Sequence, residues 1–214
     1  MKSLLLSCLA LSCLSVSAQA HEIWIERDAV GPVRIYFGEP AEAPAAQGED
    51  ELKRVVAPRV FGATASAGKP QRSGDHLQAP LPGEGDAWLF DDQVFEPWKG
   101  ENGSYESVTY YARAGRASTT PRLDFELVPQ RPGSGELTVL YRNKPLAGAE
   151  VTVIDPQKWQ KQLKADARGR LTLPALRPGR HIVVVSHKEP VQRQIAGQPV
   201  ALMHHISTLT FQAE

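Results

Sequence analysis

Histidine offers this chain its richest chemistry, and four of its six histidines sit where a metal ion could use them. His21 follows Ala18-Gln19-Ala20, an A-x-A processing site, and cleavage after Ala20 would free an α-amino group on a residue that already carries an imidazole. Those nitrogens have reference pKa values of about 7.7–8.0 and about 6.5, so both lose a proton to a metal more readily than a lysine does. An amine and Nδ1 on one residue form a chelate that suits copper(II) or nickel(II), and also cobalt or zinc. His187 ends the apolar run 181–187, just before Lys188-Glu189-Pro190, and His204 and His205 open the last run, 203–211. Successive residues of a strand point to opposite faces, so at most one of that pair faces a given site. The expected site is therefore His21, His187 and His204 or His205 around a divalent transition metal. Glu22 or Glu39 is the carboxylate expected to orient an imidazole. His76 reads as an exposed turn residue, His181 as a strand residue outside the site, and Met203 as core.

Other chemistries have less to stand on. No nucleophile–base pair, P-loop or dinucleotide fingerprint is present, and Gly83-Glu84-Gly85 lacks the rest of a phosphate cradle. Ser186-His187 has no third group or oxyanion hole in view. Asp91-Asp92-Gln93-Val94-Phe95-Glu96 is too sparse in oxygen ligands for a calcium loop and reads as a surface loop with aromatic anchors. A binding protein rather than an enzyme is expected. Two competing readings are a copper enzyme built on an amino-terminal histidine, and a metal-free module. The first lacks the characteristic opening sequence and disulfides of such enzymes. The second would grip a glycan, peptide or envelope partner through Trp88, Trp98 or Trp159.

The elements that must position these residues are strands. Residues 22–26 alternate charged and apolar, with Ile23 and Ile25 on one face, and 32–38 repeat the pattern after Gly31-Pro32. This predicts a hairpin with His21 at its tip and Glu39 near it. A loop from 40 to 48, a short helix at 49–56 with Asp50 as N-cap, and strands at 59–63, 75–79, 85–90, 104–114 and 123–128 follow. The stretch 129–135 turns to Pro, Gly and Arg and is the expected domain boundary. Beyond it, strands at 137–141, 150–154, 160–165, 171–173, 181–187 and 203–211 are separated by Gly-bearing turns, the spacing of a β-sandwich. The fold expected is all-β: a cleaved signal at 1–20, a β-rich domain at 21–130 and a sandwich at 131–214. If the last two strands are neighbours, His187 meets one of His204 and His205 despite the long connection between them.

Met1-Lys2 and the short apolar run 4–16 have the form of a secretory signal, and no later segment is apolar for long enough to span a bilayer. Cys8 and Cys13 both fall inside that signal, leaving the processed chain without a disulfide or thiolate ligand, and a bacterial periplasm fits best. The chain carries 24 basic and 24 acidic side chains, so loss of Lys2 leaves one net negative charge and no basic stripe for nucleic acid.

Two resemblances sharpen these expectations. Lys144-Pro145-Leu146-Ala147-Gly148-Ala149-Glu150-Val151, Asp166-Ala167-Arg168-Gly169-Arg170-Leu171 and Arg177-Pro178-Gly179 resemble the prealbumin-like, carboxypeptidase-regulatory-like module of exported bacterial proteins. From His21-Glu22-Ile23-Trp24-Ile25-Glu26 through Tyr36-Phe37-Gly38-Glu39 to Thr208-Leu209-Thr210-Phe211, the chain resembles a family of uncharacterised periplasmic proteins. Some of its members are grouped with nickel and cobalt uptake systems as substrate-binding or auxiliary components. Their mature chains begin with histidine and an aromatic-rich strand and end in a prealbumin-like domain, and no catalytic residue set is characterised among them. The resemblance implies a periplasmic protein that captures nickel, cobalt or a related ion and passes it to a transporter of the inner or outer membrane.

Overall fold

The computed structural model describes residues 21–42 and 50–214, and the expected signal, 1–20, lies outside the described residues. The alternation at the start of the chain folds as a hairpin of β1 (Glu22–Glu26) and β2 (Val33–Gly38), with Glu22 opposite Gly38 and Glu26 opposite Arg34. β5 (His76–Ala79) extends this sheet beside β2, and β4 (Gln71–Ser73) closes it. Ile23, Ile25, Val33, Ile35 and Phe37 all point to one core. The helix expected at 49–56 is instead a 3₁₀ turn, Asp50–Arg54, with Glu49 outside the described residues. Leu52 anchors it in the same core.

The central sheet has the order β13 (Gln160–Lys164), β12 (Glu150–Ile154), β15 (Gly179–Ile195), β16 (Gln198–Ala213), β8 (Tyr105–Ala114), β6 (Ala87–Asp91) and β3 (Arg59–Phe61). β7 (Trp98–Lys99) pairs with the start of β8. β16 and β8 run parallel, from Val200 opposite Tyr105 to Thr210 opposite Ala114, while the other neighbours are antiparallel. In the third sheet β10 (Glu136–Tyr141) lies between β9 (Phe125–Pro129) on one side and β14 (Arg170–Thr172) and β11 (Lys144–Pro145) on the other. The stretch 129–135 is thus the turn joining β9 to β10, and strands from both sides of it share the central sheet.

Alternation along the central strands makes the fold three-layered. Val108, Tyr110 and Ala112 of β8 and Ile206 of β16 enter the core shared with the first sheet. Tyr111 of β8, Trp88 of β6 and Leu209 and Phe211 of β16 enter the core shared with the third. A sheet covered on both faces has buried residues at consecutive positions, and every residue of β8 from Ser107 to Ala114 is buried. Arg113 is among them. Its guanidinium donates to Asp86 at 2.7 Å and Glu126 at 2.8 Å, while Glu126 also accepts from the Trp88 indole and from the backbone N–H of Arg122 and Leu123.

The connection between His187 and His204 is not a long loop. β15 and β16 continue past the sandwich as a hairpin, closing through Ala196 (φ 45°) and Gly197 (φ 77°) with Ile195 opposite Gln198. Two consecutive left-handed residues fit a tight I′-type turn. Pro190, at a register shift, and Pro199 lie within this arm, and its exposed, polar residues carry little strand signal.

Candidate functional site

His21 stands at the entry to β1. Its ring lies 5.4 Å from that of Phe37, and Phe37 in turn packs against Phe95 and edge-on against Tyr110. Glu51, carried by the 3₁₀ turn, places Oε2 3.9 Å from His21 Nδ1. The histidine is thus held by an aromatic floor and faced by one carboxylate.

His204 reaches the same region from β16. Lys188 and His204 are cross-strand partners, as are Val108 and His204, and as are Trp98 and Glu106. That register puts Glu106, His204, Trp98 and Lys188 on one face. His204 Nε2 donates to Glu106 Oε2 at 2.6 Å, and its ring lies 5.5 Å from the Trp98 indole. A short charge-assisted contact of this kind fixes both tautomer and ring orientation. Gly100 makes room for it, because a Cβ there would collide with the Glu106 carboxylate.

Between these two histidines lies a cavity of about 540 Å³. Phe95, Trp98, Val108, Tyr110 and Ile206 form apolar walls, with His21, Glu96, Ser186, Lys188 and His204 as its polar side chains. His187 and His205 also border it, but their rings turn to the opposite face of the central sheet, where both lie against Phe125 and Tyr141. They are cross-strand partners with ring centroids 6.3 Å apart.

On that second face His205 is a buried hub. Tyr141 donates to Glu189 at 2.8 Å and so accepts from His205 Nε2 at 3.2 Å, which leaves Nδ1 to accept from Tyr111 at 3.3 Å. Burial pushes the His205 pKa down to about 4, against the pull of Glu189, so the ring is neutral near neutral pH. Arg142 grips Glu189 with two bonds of 2.8 Å. Both nitrogens of His205 are therefore engaged in protein contacts.

The remaining residues are placed as follows. His181 is buried and stacks on Phe211, and His76 accepts or donates at 2.8 Å with Asp75 beside Tyr36. Met203 is buried. Glu22 and Glu39 lie close to each other; burial first, then Glu39's charge, pushes the Glu22 carboxyl up to about 8. The carboxylates found beside the two cavity imidazoles are instead Glu51 and Glu106, which the sequence does not single out. Among the described residues, no three His, Asp or Glu side chains converge to hold a metal ion by themselves. Of the tryptophans, Trp88 is buried, Trp98 is 37% exposed on the cavity and Trp159 is 73% exposed elsewhere.

A scan against protein-family models and a search of curated proteins each find no match for the chain.

Proposed function

We propose that the chain is an exported, non-enzymatic protein that captures a divalent transition metal through His21 in the periplasm and hands it to a membrane transporter. The observation that carries this reading is that His21 and His204, from opposite ends of the chain, line one cavity. Processing after Ala20 adds the α-amino nitrogen to the His21 ring. With Nε2 of His204 donating to Glu106, Nδ1 is the nitrogen with a lone pair to offer. An all-nitrogen set of amine and two imidazoles suits nickel, copper, cobalt or zinc. Affinity then falls as pH drops, because protons compete for each donor. Among the described residues no helix is long and apolar enough to cross a membrane.

The test is a titration of the chain beginning at His21 with nickel, copper, cobalt and zinc, beside a variant carrying one extra residue before His21. The extension is expected to weaken binding at least about tenfold, or about 1.4 kcal/mol. Equal affinity in the two forms removes the terminal amine from the mechanism.

A second reading, a metal-free binding module for a glycan, peptide or envelope partner, is favoured by the half-exposed Trp98 on the cavity wall. Ligand binding that quenches Trp98 fluorescence in metal-free buffer would support it.

A further inference from the structure

We propose that the cavity receives its ion as a chelate, a divalent metal already bound by an amino acid that holds it through the amine and a side-chain imidazole and so leaves its carboxylate free. This rests on the metal-capture reading above and names the cargo of that site.

The first reason is size. A volume of about 540 Å³ falls within the roughly 300–1,000 Å³ of small-molecule sites and far exceeds the roughly 30 Å³ that a water occupies in the liquid. The second is the character of the walls. Phe95, Trp98, Val108, Tyr110 and Ile206 are largely or wholly apolar surfaces. The coordinated waters of a hydrated ion would lose hydrogen-bond partners against them, whereas the carbon skeleton of an organic chelator would cover them.

The third reason is the donor count. The cavity face offers the rings of His21 and His204, with the processed amine beside the first; Glu96 also lines it, and among the described residues no group of three His, Asp or Glu is placed to hold a metal ion by itself. Nickel and copper in tetragonal or octahedral shells have further positions to fill, and an amino acid binding through both its amine and its side-chain imidazole fills two of them. Lys188 supplies the fourth. It lies cross-strand from His204 on the cavity face, is exposed, and makes no ion pair among the described residues. An ammonium on a flexible stem suits a carboxylate that the metal does not use. Trp98 then forms the wall against which the organic part rests.

Equilibrium dialysis separates the outcomes. The chain beginning at His21 is dialysed against nickel alone and against nickel with equimolar free histidine, and both metal and amino acid are quantified in the protein chamber. Ordinary competition would make histidine strip nickel from the protein. The expected result is the opposite: bound nickel rises at least about threefold, with histidine retained in proportion, and both Lys188→Ala and Trp98→Ala lose the retained histidine. Nickel bound alone but stripped by histidine overturns the chelate and leaves the metal reading standing. No nickel bound in either arm overturns both. Histidine retained equally by the two variants overturns the assignment of the chelator to this cavity.

Discussion

Glu22 adjoins the histidine on which the site depends, and its carboxyl shares a partly buried corner with Glu39. Its pKa is raised from 4.5 to about 8, so the folded state holds a proton that the unfolded state has lost. Stability from this residue is therefore full below about 4.5 and declines as pH rises towards about 8. His205 works in the other direction. Its folded pKa, about 4, lies below the ordinary 6.5, so acidification through that window favours the unfolded chain. Above about pH 6.5 the two windows no longer overlap. The expected outcome is a urea midpoint that falls between about pH 6.5 and about pH 8 in the wild-type chain and falls less in Glu22→Gln. Parallel curves for the two proteins would show that the Glu22 proton plays no part.

At the scale of elements, β8 ties structure to site: Glu106 near one end orients His204, and Arg113 near the other joins two buried carboxylates. Arg113→Met would leave Asp86 and Glu126 buried without their counter-charge. A loss of about 3 kcal/mol or more is expected, read as a lowered denaturant midpoint. An unchanged midpoint would mean that backbone donors alone satisfy the pair. Most strands here could be read from alternation, because alternating burial leaves that signature at 33–37 and 150–153, and at 22–26 charged ends flank Ile23, Trp24 and Ile25, which are buried on both faces. The outer part of the β15–β16 arm could not: its polar, proline-bearing residues have no core to alternate against. Nor could the parallel pairing of β16 with β8, which joins residues about a hundred positions apart and has no local signal. The site divides the same way. Imidazoles, and the A-x-A pattern from which processing is expected, announce themselves by residue type. Glu51 and Glu106 come beside His21 and His204 only through tertiary packing and register, whereas the expected partners Glu22 and Glu39 are acids near His21 in sequence.

For the whole molecule, three β layers sort the histidines. The central sheet sends His204 to the side of the first sheet and His21, and His187 with His205 to the side of the third. The four histidines that border the cavity are thereby split into a pair whose rings face it and a pair packed among aromatic rings. Pairing across the expected boundary matters for this, since β8 and β16 come from either side of residue 130, share one sheet and build the cavity wall jointly. Nickel titration of His204→Ala and His187→Ala, each in a chain beginning at His21, compares the two faces directly. His204→Ala should weaken binding at least about tenfold while His187→Ala stays within about twofold of wild type. Equal weakening by both, or unchanged binding by His204→Ala, would contradict a site built from His21 and His204 in one cavity.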